Sequence, residues 1–357
     1  MNNKPDTIKT ILICIIAVFL FNLLFSRYLT AKISTVPLLN KWKLIDPLTP
    51  IVINKKEEIR ISDSGEALGA VITVKSKISV IVVSENGILT VAGGAVNLAS
   101  EGVFVSSKSS FSINSDNYFI VSSDGRTAKI KERIIDPATD LVFFKVELNN
   151  VPVISIGNSS DLKPGEKIFF VANSTQNSQV KFLASFVSFA QGDVERRIFE
   201  ADRPSRTFGA QNVSPLVSGQ SLINTKGELV GLWDGNNVIS SDVLKHAIAL
   251  YFANPAKITR PSFGFSYSIL NKTESAILNL SPGAMVKEVE TKQGILPAAK
   301  AGLLKGDMII KVNNEVVDEQ NLLEEILQKY KPSDTLALEI MRGKNKLNLS
   351  LKVGELK

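Results

Sequence analysis

The chain opens on an unbroken apolar run, crosses a stretch without periodicity, and then settles into short β-branched runs separated by turn residues. No residue from Thr10 to Ser26 is charged, and Ile11 to Phe25 is apolar apart from Asn22. As a helix, residues 10–26 cover roughly 25 Å at about 1.5 Å per residue, so a membrane span here needs Lys9, Arg27 and Tyr28 to snorkel to the interfaces. The run ends in bulky Leu23, Leu24 and Phe25 with no small-x-small site, which favours an uncleaved anchor over a signal peptide. Positive charge flanks both ends of the run, so the charge rule assigns no orientation, and Cys14 is a lipid-facing side chain within the span.

Residues 27–66 combine Pro37, Pro47 and Pro50 with scattered charges and hold no helical or alternating period, which predicts a stalk. From residue 67 the apolar runs are Ile78 to Val83, Gly102 to Val105, Tyr118 to Val121, Leu141 to Val146, Ile168 to Val171 and Leu229 to Leu232. Turn signals such as Asn86-Gly87, Asp124-Gly125 and Lys226-Gly227 separate them. Many short strands at this spacing predict an all-β sandwich or barrel. The helix-like stretch Ser241 to Phe252, with Val243, Leu244, Ala247, Ile248 and Tyr251 on one face, closes that domain at 255. Asn254-Pro255 and Arg260-Pro261 mark a linker, after which the pattern to residue 354 mixes strand and helix.

Composition narrows the chemistry. At about 150 residues per domain, 357 residues suggest two domains and an appendage. Hydrophobic residues at 44% and charged residues at 21% exclude wholesale disorder and a polytopic membrane protein. The net charge of +6 lies in the first 56 residues, where eight Lys or Arg face two Asp (8 − 2 = +6). The remainder is neutral, with 41 − 8 = 33 basic and 35 − 2 = 33 acidic residues. Charge confined beside an apolar run fits anionic lipid, and no nucleic-acid face is expected. One Cys and one His exclude a disulfide framework, a thiolate zinc cluster and any site needing several imidazoles, so neither metal nor other cofactor is expected.

Two stretches carry a family resemblance. Ser123-Asp124-Gly125-Arg126, Asp136-Pro137-Ala138-Thr139-Asp140-Leu141, and Val153-Ile154-Ser155-Ile156-Gly157-Asn158-Ser159 with Pro164-Gly165-Glu166 resemble the trypsin-like domain of HtrA (DegP/DegS) serine proteases. Pro297-Ala298-Ala299-Lys300-Ala301-Gly302-Leu303-Leu304-Lys305-Gly306-Asp307-Met308-Ile309, followed by Val312-Asn313, resembles the PDZ domain of the same family. The resemblance implies a mainly β protein: a chymotrypsin-like double β-barrel over 67–255 and an α+β PDZ domain over 262–354. It also implies a homotrimer, with residues 1–9 as a cytoplasmic N-terminus and the bulk of the chain extracytoplasmic in the bacterial envelope.

The family's chemistry is Ser-His-Asp acyl transfer, in which His takes the serine proton, Asp holds the imidazole and backbone amides stabilise the oxyanion. Asp140 matches the family's Asp and Ser218, in Ser218-Gly219-Gln220-Ser221, its serine, although Leu216 and Val217 stand where the family has Gly and Asn. A shifted register would instead put Asn212 on the serine. The His position falls near Asn114 to Asn117, or at Gly93 in a rival register, and neither holds a histidine. His246, on the late helix near Asp242 and Lys245, reads as a solvated or helix-terminal histidine. Ser160-x-x-Lys163 and Ser178-x-x-Lys181 have the spacing of Ser-Lys dyads but read as chance matches. The expectation is a pseudoprotease with a vestigial Asp140 and Ser218; the alternative is an active serine endopeptidase using an unconventional base.

In the PDZ part, Phe263-Gly264-Phe265-Ser266 is recognisable as the carboxylate-binding loop of the family, and the following strand would accept a peptide as an added strand. The helix expected over 319–330 forms the other wall. Leu323 and Leu327 are assigned to the pocket, and Leu322 and Ile326 to the core. The expected partners are protein C-terminal peptides ending in an apolar residue, and the membrane.

Overall fold

The computed structural model describes residues 13–21, 63–173, 180–189, 198–204, 208–211, 218–270, 272–291, 296–318 and 321–356. Residues 13–21 are helical with exposed side chains. No helix among the described residues is long and apolar enough to cross a membrane, and the rest of the expected span lies outside them, as does the expected stalk up to residue 62. A helix, α1 (Asp63–Lys75), begins inside what the sequence predicts as stalk. Its Ala70, Val71 and Val74 are buried.

Seven antiparallel strands follow: β1 (Ile78–Glu85), β2 (Ile88–Ala99), β3 (Val103–Ser107), β4 (Tyr118–Val121), β5 (Thr127–Lys129), β6 (Ile134–Ile135) and β7 (Leu141–Lys145). They form one sheet in the order β5-β4-β1-β2-β3-β7-β6. A second sheet takes β8 (Lys167–Asn173), β9 (Val180–Phe189), β11 (Gly209–Ala210), β12 (Ser221–Asn224), β13 (Leu229–Trp233) and β14 (Val238–Ser240), in the order β11-β9-β8-β12-β13-β14. The strand between them in sequence, β10 (Phe199–Glu200), joins neither sheet.

The burial pattern explains why these strands read as continuous apolar runs rather than alternating ones. Leu141 and Phe143 pack into a cluster shared by both sheets, with Phe169, Val171, Ile223 and Leu229. Their neighbours Val142 and Phe144 face the interior of the first sheet, while Ile168 and Phe170 face that of the second. Both faces of each strand are therefore desolvated. The shared cluster is sealed by α1 and by α2 (Ser241–Ala253), whose Tyr251 stacks on Phe143 with ring centroids 4.8 Å apart.

The C-terminal domain contains β15 (Arg260–Ser262), β16 (Phe265–Leu270), α3 (Lys272–Leu278), β17 (Gly283–Val289), α4 (Pro297–Lys300), β18 (Met308–Val312) and β19 (Glu315–Val316). After these come α5 (Leu323–Leu327), β20 (Thr335–Arg342), β21 (Asn345–Lys352) and β22 (Gly354–Leu356). Its sheet runs β10-β16-β17-β18-β20-β21, so the strand of the preceding domain supplies one edge. Of the helix expected over 319–330, the described residues 321–330 form only the short α5, and Leu322 before it is extended. Leu322, Leu323, Ile326 and Leu327 are all buried, and the last three share one cluster, so they do not divide into separate stripes.

One ion pair ties this domain to the sheets. Arg260, fully buried in β15, places Nε 2.9 Å from Asp136 Oδ1 and Nη2 2.5 Å from Oδ2, with Nη1 3.3 Å from Gln328 Oε1. The same Asp136 carboxylate accepts from the Ala138 amide at 3.0 Å and the Thr139 hydroxyl at 2.7 Å, which fixes the turn leading to Asp140.

Candidate functional site

Ser218 sits at a backbone crossing that only glycines permit. Gly219 has φ +78°, and a Cβ there would lie 2.2 Å from the Gly94 carbonyl; one on Gly94 would lie 2.6 Å from the Gly219 carbonyl. The Gly94 amide donates to the Ser218 carbonyl at 2.8 Å, and the Gly219 amide to the Trp233 carbonyl at 2.6 Å. The turn is thus clamped between β2 and β13. Residues 212–217, with Leu216, Val217 and Asn212 of the two registers, lie outside the described residues.

The Ser218 hydroxyl donates to the Asp234 carbonyl at 3.2 Å. The Ser109 hydroxyl donates to that same oxygen, and the Ser107 hydroxyl approaches it at 3.4 Å. Ser109 belongs to a single 3-10 turn, Lys108–Phe111, that follows β3 directly. Asn114 to Asn117 lie beyond that turn, on the approach to β4, and Gly93 lies in β2, where a Cβ would strike Ser110 at 2.2 Å. β3 pairs with β2, whose Gly94 touches Ser218, so the end of β3 and the turn after it bring Ser107 and Ser109 to the carbonyl that Ser218 also meets. That turn offers hydroxyls. The Asp234 carboxylate is turned to its own loop, accepting from the Asn236 and Asn237 amides at 2.7 Å each.

Asp140 has φ +57°, and its carboxylate pairs with Arg203 at 3.2 Å and with Lys108 at 3.9 Å. Both contacts are partly exposed. His246 is half-buried rather than solvated, lining a cleft at the seam with Pro204, Arg260, Glu324 and Gln328. Burial, and then the nearby Arg260 charge, push its pKa down, while Asp136 opposes.

The second site is the loop Phe263-Gly264-Phe265-Ser266. The Phe263 and Phe265 side chains are buried in the core of the C-terminal domain. Gly264 has φ +77°, and a Cβ there would meet the Leu296 side chain at 2.6 Å. The Phe263 and Gly264 amides converge, and a carboxylate already lies between them: Asp202 Oδ1 accepts from Phe263 N at 2.5 Å and from Gly264 N at 3.1 Å, while the Ser262 hydroxyl donates to Oδ2 at 3.2 Å. Burial raises the Asp202 pKa, and these donors pull it back down. Beside it, β10 pairs antiparallel with β16, Phe199 opposite Tyr267 and Glu200 opposite Ser266. Leu323 and Leu327 pack in the same cluster as Phe199 and Ala201. The sequence shows no sign that Asp202 and β10 lie against this loop, because a two-residue strand carries no periodicity of its own.

Residues 79–232 match the family described as trypsin-like peptidase domain, and residues 263–353 match the PDZ domain. A probable periplasmic serine endoprotease DegP-like from Pseudomonas putida (strain GB-1) is 27% identical over 288 residues, covering 74% of this chain and 56% of that protein. The putative serine protease HhoB of Synechocystis sp. is 28% identical over 254 residues, 65% of this chain and 59% of that protein. The chain therefore spans somewhat more than half the length of these relatives. Among solved structures, the HtrA-type protease AlgW with tripeptide superposes with a TM-score of 0.61 over 81% of this chain and 96% of its own, at 20% identity.

Proposed function

Because the chain belongs to the HtrA family of trypsin-like serine proteases with a C-terminal PDZ domain, we propose that it is a member that no longer cleaves peptide bonds. It is held to the membrane by residues 10–26, acts in the bacterial envelope, and captures protein C-termini through the PDZ domain. We assign 67–255 to the trypsin-like domain and 262–354 to the PDZ domain, and propose self-association as a homotrimer.

The environment of Ser218 carries the reading of the trypsin-like domain. A serine hydroxyl is a weak nucleophile unless a base accepts its proton, and here it donates to a backbone carbonyl alongside Ser109. The names of the relatives favour a second reading, an active serine endopeptidase with an unconventional base. The two readings part on whether Ser218 reacts with an electrophile.

The converging Phe263 and Gly264 amides carry the reading of the PDZ domain. A labelled peptide with a free C-terminal carboxylate is expected to bind with micromolar affinity, and its C-terminal amide not to bind, since the amide offers neither the charge nor two acceptor oxygens. Equal anisotropy titrations for the two peptides would contradict this assignment. For the anchor, protease added to intact cells is expected to digest the PDZ domain. Protection until lysis would reverse the orientation, and a mature N-terminus beyond residue 26 would remove the span.

A further inference from the structure

The segment lying in the PDZ groove has the features of a ligand. The Ala201 amide donates to the Phe265 carbonyl at 3.0 Å, which continues the pairing of Phe199 and Glu200 with β16. The Arg203 amide returns to the Glu200 carbonyl at 3.2 Å, so the chain turns away just where a peptide would end. At that point the Asp202 side chain delivers a carboxylate to the two loop amides. Ala201 is fully buried in the cluster that includes Phe263, Leu323 and Leu327, so the last side-chain site closes around a methyl group. Phe199 stacks on Tyr267 with ring centroids 5.5 Å apart, and Glu200, between Phe199 and Ala201 in sequence, is exposed.

We infer that residues 199–202 are a tethered competitor seated in the PDZ groove, and that the groove takes from outside a protein C-terminus of matching chemistry: an aromatic residue third from the end, a small residue last, and a free carboxylate. The inference rests on the peptide-binding reading above and adds its specificity and its control. Among the described residues β10 pairs only with Ser266 and Tyr267, whereas β16 runs on to Leu270, beside a groove where Ile198, Leu270, Ile277 and Leu278 meet Glu274 and Lys287. A peptide longer than the internal segment can continue along that edge, and its added contacts let it displace the shorter occupant.

The test is an anisotropy titration of the full chain in detergent with a fluorescent decapeptide ending Phe-Glu-Ala and a free carboxylate. Asp202→Asn removes the internal charge, and because apparent affinity scales with the open fraction, it is expected to tighten binding about tenfold. In a Cys14→Ser background, Glu200→Cys with Ser266→Cys places a thiol pair across the β10–β16 register. Oxidation is expected to abolish binding and reduction to restore it, which keeps the test open even if Asp202→Asn folds poorly. Unlabelled Phe-Glu-Ala peptide is expected to compete about tenfold better than Phe-Glu-Leu, since a bulkier terminal side chain overfills the site. Unchanged affinity in Asp202→Asn and in the oxidised pair would overturn the tethered competitor and leave the peptide-binding reading standing. A preference for terminal Leu would overturn the specificity. Failure of every free-carboxylate peptide, even with Asp202→Asn and the reduced pair, would instead remove the peptide-binding reading itself, and the inference with it.

Discussion

Replacing Arg260 with methionine is expected to destabilise the folded chain by roughly 3–5 kcal/mol, because it strands the Asp136 carboxylate, fully buried, without its counter-charge. A one-sided deletion is costly because the remaining ion can neither rehydrate nor find a new partner. The same carboxylate orders the turn before Asp140 through Ala138 and Thr139, so the loss spreads toward the candidate active site. Breaking the exposed Lys131–Glu147 pair, whose side chains are 73% and 91% accessible, should change stability far less. Replacing both buried partners, Arg260→Met with Asp136→Leu, should recover most of the loss, since two apolar groups leave no stranded charge. Urea unfolding of the parent and the three variants checks this. An Arg260→Met variant within about 1 kcal/mol of the parent would mean that the pair is solvated and does not hold the two domains together.

The second large effect is the absence of a rate. The chain is expected to hydrolyse unfolded casein no faster than its own Ser218→Ala variant. Losing one member of a Ser-His-Asp triad leaves only the residual catalysis of the oxyanion site and binding, about 10³ to 10⁴ over water, which is far below a working protease. Asp140, held by Arg203 and Lys108, is not free to orient a substitute base. Activity that is lost in Ser218→Ala and retained in Ser109→Ala would establish the endopeptidase reading.

Much of this arrangement was legible in the sequence. The runs Leu141 to Val146 and Ile168 to Val171 announced strands buried on both faces, and Ser241 to Phe252 its helix, because hydrophobic period and turn chemistry act locally. The helix α1 was hidden: its Val71, Ile72, Thr73 and Val74 are β-branched and its Gly65 and Gly69 weaken the helical signal, so burial against the shared cluster decides its conformation. Ser218, Asp140 and the Phe263-Gly264-Phe265 loop were assigned through the resemblance to the family, not from any local period. The side chains beside Ser218, those of Ser107 and Ser109, belong to neither of the expected registers, Asn114 to Asn117 or Gly93, since the length of β3, which ends at Ser107, determines which residues the next turn presents. The occupant of the groove could not be read at all: the pairing of Phe199 with Tyr267 spans most of a domain in sequence, and no local pattern encodes it.

The account turns on the absence of a base at Ser218, and the most direct measurement is the intact mass of the full chain after incubation with a serine-directed fluorophosphonate. Such a reagent needs only an activated hydroxyl, so it reports nucleophilicity without requiring a protein substrate to reach the site. The predicted result is an unmodified mass, the same as for Ser218→Ala treated in parallel. A stoichiometric adduct on Ser218 that disappears in Ser218→Ala would contradict the account, because it would require a proton acceptor where, among the described residues, the Ser218 hydroxyl meets the Asp234 carbonyl shared with the hydroxyls of Ser107 and Ser109.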